Sequence, residues 1–308
     1  MLTVSRLLLA GTVASVAGAA AAQSEFDSTL TLGYSNSSSD VGDYSSVSLG
    51  IANEIRLNNV TIDADIDFAR LDPDDTSAEL DLRRFALAPR YRFDNGLVLG
   101  AYFQRVTAEL DDAGFLTGLD GDADSYGLIL GYETENLTVE ASIGETETDP
   151  DAPNTDITDF GVTADYDASD RLSVAGLLAR TTVDAPGGDV DADAIGIAAS
   201  YDVTEAFQVF GGYGNLDVSD SDADGDSIAI GVGYDLGGMG ELPPVTVSLE
   251  LARTTLDAGG QSEDIDTVRL GLSIPIGEGV SDVPLNSAAS SFGGSDRTAV
   301  PSALFGGL

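Results

Sequence analysis

Three aspartates at alternate positions, Asp63, Asp65 and Asp67, are followed by Arg84, Arg90 and Arg92. Residues at every second position share one face of a strand, so the two sets can face each other as a charged wall. Such a wall either satisfies itself as a ladder of cross-strand ion pairs or presents charge that orients passing solutes. Pairing about Pro73 puts Asp65 opposite Arg84, with a bulge expected near Arg83-Arg84 where the apolar phase changes. Four other arginines, Arg70, Arg105, Arg180 and Arg253, each follow the last apolar residue of such a row. Facing outward, they could bind phosphate groups bidentately or snorkel and pair with loop carboxylates. Alternating acids form a third set: Asp120-Asp122-Asp124, Asp189-Asp191-Asp193 and Asp220-Asp222-Asp224-Gly225-Asp226. The last begins like an EF-hand loop, but its twelfth position is Gly231 instead of Glu, so that motif fails. Asp220, Asp222 and Asp224 are left as weak Ca²⁺ candidates.

Other chemistry is excluded by composition. The chain has no Cys and no His, which removes disulfides, thiolate or imidazole metal sites and Ser-His or Cys-His catalysis. No enzyme and no cofactor are expected. Thirteen basic residues, all Arg, stand against 53 acidic ones, a net charge of −40. Nucleic-acid binding needs basic patches and is excluded. Acidic surfaces of this kind stay hydrated in salt and attract cations.

The elements that position these residues read as strands. Val60, Ile62, Ala64, Ile66 and Phe68 form one period-two apolar row; Tyr126, Leu128, Leu130 and Tyr132 form another. Fourteen such stretches run between residues 26 and 276, each with Gly, Ser, Thr, Ala or Asp at the partner positions. One apolar and one small or polar face throughout predicts a closed antiparallel barrel between lipid and water. About fourteen strands are expected, with 12 to 16 as the range. Residues 1–22 read as a secretory signal, with Arg6, the apolar Leu7 to Ala17 and Ala20-Ala21-Ala22. Residues 23–276 form the barrel, and 277–308 a low-complexity tail expected to lie disordered in the periplasm. Connections alternate short, as at Asn58-Asn59, and long and acidic, as from Leu110 to Ala123. The short side is periplasmic and the long side extracellular.

With this pattern the chain resembles the Gram-negative outer-membrane β-barrels, porins in particular. The most specific piece is Arg269-Leu270-Gly271-Leu272-Ser273-Ile274-Pro275-Ile276, which resembles the closing-strand signal read by the outer-membrane insertion machinery through Arg269, Gly271, Ile274 and Ile276. Family members usually end there on an aromatic residue, whereas here Ile276 is aliphatic and the tail follows.

The resemblance implies an outer-membrane location, lipopolysaccharide as the phosphate that Arg70, Arg105, Arg180 and Arg253 would meet, and small hydrophilic solutes as cargo. A homotrimer is left open. In porins the third long loop often folds inward. Here that loop carries Phe115, Leu116 and Leu119 with Asp111, Asp112, Asp120 and Asp122, and facing Arg84 and Arg90 it would set up a transverse field. Small interior residues such as Gly196, Ala198, Ser200, Gly231 and Gly233 leave room for water. The expected function is passive diffusion of small hydrophilic solutes, favouring cations. A non-conducting structural or adhesive barrel, its lumen filled by loops or tail with Leu304 and Phe305 as anchors, is the alternative. A secreted soluble Ca²⁺-binding β-protein is the second.

Overall fold

The computed structural model describes residues 24–74, 78–111, 121–151, 153–219, 223–237, 244–277, 279, 283–293 and 298. The expected signal 1–22, the loop acids Asp112 and Asp120, the candidates Asp220 and Asp222, and Leu304 and Phe305 lie outside them.

Fourteen antiparallel strands close into one barrel. They are β1 Ser24–Ser39, β2 Gly42–Leu57, β3 Val60–Pro73, β4 Glu79–Arg92, β5 Leu97–Asp111, β6 Gly121–Glu133 and β7 Leu137–Asp149. The second half comprises β8 Asp156–Ser169, β9 Leu172–Ala185, β10 Gly188–Asp202, β11 Phe207–Val218, β12 Ala223–Asp235, β13 Thr246–Ala258 and β14 Gln261–Ile276. Each strand pairs with its sequence neighbours, and β14 closes on β1 with Gly33 opposite Gly271.

The period-two rows decide which face is which. Leu128, Leu130, Ile143, Ile195, Ile197, Ile228, Ile230 and Leu251 are half or more exposed on the outside. Their strand neighbours Ser125, Ile129, Ser142, Ala198, Ala229 and Glu250 are buried inside. A belt of large exposed apolar residues is what lipid requires and water penalises. Tyr132, Tyr166, Tyr201 and Tyr234 close descending strands on this outer face, where amphipathic rings suit an interface.

Two sequence expectations are corrected here. Strand β4 has no bulge against β3: the register runs unbroken from Val60↔Tyr91 to Leu71↔Leu80. The apolar phase change is real, but it leaves the backbone regular: plain alternation puts Leu82 inward, 2% exposed, and Arg83 outward. Arg83 is held there by Glu109, its Nη2 2.7 Å from Oε2. The unbroken register also sets Arg84 opposite Asp67, and Asp65 opposite Ala86.

The expected long extracellular connections are in part strand. Strands of 12 to 16 residues exceed the ~9–11 that span a bilayer, and the surplus extends upward. Three of these hairpins close in two residues, at 40–41, 186–187 and 259–260. Gly259 and Gly260 both adopt positive φ there, as tight turns of this hand demand.

After β14 the chain turns back into the barrel. A short helix, α1 Ala288–Phe292, packs on β9, β10, β11 and β12. Ser287 caps it by accepting from Ser290 N at 3.1 Å. The expected disordered periplasmic tail is therefore not what residues 283–293 form.

Candidate functional site

The lumen has two unlike halves. One is charged. Asp67 on β3 receives Arg84 Nε at 2.8 Å, and the arginine is 6% exposed. Arg90, also on β4, sits between Asp63 on β3 and Glu140 on β7, donating to Glu140 Oε1 at 2.8 Å. Glu140 is three strands away. Its contact passes over Gly100 on β5 and Gly131 on β6, where an added Cβ would press on the Arg90 and Glu140 side chains. Sequence reasoning missed Glu140; inward glycines on the two intervening strands are the signal that could have found it.

Together with Glu54, Asp65, Asp165 and Asp167, these residues line a cavity of about 490 Å³. Arg269 on β14 lines it as well. Seven carboxylates (Glu54, Asp63, Asp65, Asp67, Glu140, Asp165, Asp167) thus share the wall with three arginines.

The remaining residues expected to line the pore are placed elsewhere. Arg92 lies at the periplasmic end of β4, its Nε 3.5 Å from Glu133 Oε1. Asp122 is on the outer face, where Thr107 Oγ1 donates to it at 2.6 Å. Asp111 ends β5 opposite Glu79.

The other half of the lumen is filled by the tail. Ala288, Ala289 and Phe292 join Ala198, Phe210, Ala229 and Ala252 in one buried apolar cluster. Glycines make the seat. A Cβ on Gly196, Gly212 or Gly214 would collide with Phe292, and one on Gly50 would press on Leu285. Gly33 and Gly271 would meet Asn286 in the same way, and Gly231 lies under the Phe210 ring. The inward glycines Gly196 and Gly231, read from sequence as room for water, are room for protein. One ion pair pins the arrangement: Arg269 Nη1 donates to Glu250 Oε1 at 2.6 Å, both side chains 2% exposed. The same oxygen accepts Ala288 N of the helix at 3.1 Å. Arg269 and Gly271, two positions of the closing-strand pattern, are thus occupied by the lumen. Ile276 of that pattern is exposed outside.

On the outer surface the four belt arginines are paired. Arg70 grips Asp81, Arg105 grips Asp124, Arg180 grips Asp193 and Arg253 grips Asp266, each through Nε and Nη2. Every pair joins directly opposite residues of adjacent strands. The carboxylates come from strands, not from flexible loops. Among the described residues no group of three His, Cys, Asp or Glu side chains is placed to hold a metal ion. Asp224 stands on β12 opposite Asp217 and Asp257.

A family model described as Gram-negative porin matches residues 16–186, more than half of the chain. The chain belongs to the Gram-negative porin family. This porin is therefore an outer-membrane β-barrel of the channel-forming kind. Its fold is similar to that of the anion-selective porin from Comamonas acidovorans, with TM-score 0.50 and 13% identity, covering 82% of this chain and 99% of that one. The CymD monoaromatic hydrocarbon channel gives TM-score 0.50 at 13% identity, over 82% and 88% of the two chains. OmpT, an outer-membrane protein of Vibrio cholerae, gives 0.47 at 14%, over 82% and 98%. No curated protein sequence matches the chain.

Proposed function

We propose that this porin is a non-enzymatic, passive channel for small hydrophilic solutes, and that it favours cations. The path is the charged half of the lumen, between the tail segment and the wall formed by β2, β3, β4, β7 and β8. One observation carries the reading: the 490 Å³ cavity is lined by seven carboxylates and three arginines. In a narrow, weakly screened space a surplus of four negative charges raises the local concentration of cations. The Arg84–Asp67 and Arg90–Glu140 pairs satisfy the interior and hold the wall's shape. Anion selectivity, the property named for the Comamonas porin, would call for the opposite lining.

The seated tail favours a second reading, a barrel that does not conduct. Both are tested by refolding the full chain into a planar bilayer under a salt gradient. Steady steps with a cation-favouring reversal potential support the channel. Anion preference would refute the role given to the carboxylates, and silence from verifiably folded protein would leave the structural barrel.

A further inference from the structure

On the far side of the tail segment from the acidic cavity lies a second space, of about 310 Å³. Its wall is apolar. Leu177 on β9, Leu216 and Val218 on β11, and Leu256 on β13 contribute to it, with Phe292 of α1 on the inner side. Leu177 is 3% exposed and packs with Ala194, Leu216 and Val218 as a cluster of its own. The strand positions place this space in the extracellular half of the lumen, above the helix.

A water-filled passage gains nothing from such a wall, because exposed apolar surface is costly at about 25 cal/mol per Å². A wall of this kind in a concave space is instead the usual make-up of a small-molecule site, which begins at about 300 Å³. An apolar cavity of about 150 Å³ already admits a benzene ring. The neighbouring hydroxyls are occupied with each other: Thr254 Oγ1 donates to Ser227 Oγ at 2.9 Å. Asp224, Asp226 and Asp257 alternate with the inward Gly225, Ser227 and Leu256 and so turn their side chains to the outer face.

We propose that this pocket binds a small, uncharged, apolar molecule of one or two rings, seated against Phe292. Carboxylate-bearing analogues are excluded because the apolar wall strips water from a carboxylate and no arginine among the described residues lines the space to pair with it. The site is separate from the acidic path and does not depend on which ions the barrel conducts.

The test uses the full chain refolded in phospholipid nanodiscs, with 4-fluorobenzyl alcohol as probe, followed by fluorine NMR line broadening against protein-free discs. Saturable binding is expected, with none for 4-fluorobenzoate. Leu216→Trp, which fills the space, weakens it at least tenfold, and Val218→Phe does so in a separate barrel if the first fails to fold. Leu128→Trp on the lipid face leaves binding unchanged. No saturable binding beyond the protein-free discs overturns the proposal. So does equal affinity in a filled variant whose heat-modifiable gel migration shows a folded barrel. Binding that appears only in a chain ended after Gly293 overturns it too, because the pocket would then belong to the chain's own remaining tail.

Discussion

Removing residues 283–308 should widen the conducting path by a calculable amount. Fourteen strands spaced about 4.8 Å and tilted about 40° give a circumference near 88 Å, hence a backbone diameter of about 28 Å. Inward side chains take about 4–5 Å from each wall, leaving roughly 280 Å² of cross-section. A helix with small side chains occupies a circle of about 10 Å, or roughly 80 Å². If the helix stands at the narrowest level, the open area rises from about 200 to about 280 Å², and single-channel conductance rises about 1.4-fold. Residues 283–308 carry one Asp and one Arg, hence no net charge. Their loss therefore dilutes the field of the carboxylates without changing the charge of that stretch, and cation preference falls as conductance climbs. The assay is step size and reversal potential in planar bilayers, with fold checked by heat-modifiable migration. Gly214→Leu, which displaces Phe292 while keeping the tail attached, should move both quantities the same way. Conductance unchanged within about a tenth would refute the placement of the helix in the current's path.

Other perturbations read other contacts. Arg269→Met leaves the buried Glu250 carboxylate without its ion pair and should destabilise the barrel by about 3–5 kcal/mol, measured by urea unfolding in lipid vesicles. Adding Glu250→Gln should recover part of that loss, and a double variant worse than the single would contradict the pairing. Arg90→Ala removes a cation shared by Asp63 and Glu140 and should move the reversal potential further toward cations; a shift toward anions would dismiss the surplus-charge account. Asp193→Asn with Asp266→Asn removes the bidentate partners of Arg180 and Arg253 and should increase retention on lipopolysaccharide-coated beads. Unchanged retention would show that these arginines do not reach the phosphates.

The strands were legible because lipid imposes a rule: where each strand crosses the bilayer, its outward residues had to be apolar, whatever faced in. The interior was not legible by the same means. Glycine and alanine facing inward suit water and suit a backbone pressed against them, and strand periodicity is identical in both cases. What distinguishes them is the grouping of Gly196, Gly212 and Gly214 with a tail more than seventy residues downstream, a relation no local pattern records. The tail's own residues, Val283 to Gly293, have neither period nor charge, so their destination was invisible. In β4 the apolar row pointed to a bulge because Leu80 and Leu82 fall out of phase with Phe85 and Leu87. The structure keeps register and buries Leu82 inside, since a bulge at Arg83-Arg84 would break backbone hydrogen bonds there that the regular ladder keeps. The outer arginines could be read as a row from their spacing, while their partners on neighbouring strands depended on register.

Asn286 stands where the first and last strands meet. It sits against Gly33 of β1 and Gly271 of β14, which face each other across that join, and donates to Leu270 O at 3.2 Å. This pairing joins strands from opposite ends of the chain, so it closes the longest loop and carries the greatest entropic penalty of the fourteen. A segment that touches both margins from within acts as a clasp on the cylinder. The tail thus bears on how fast the wall is sealed as well as on what crosses it, and a chain without it would zip shut more slowly before it conducted more freely.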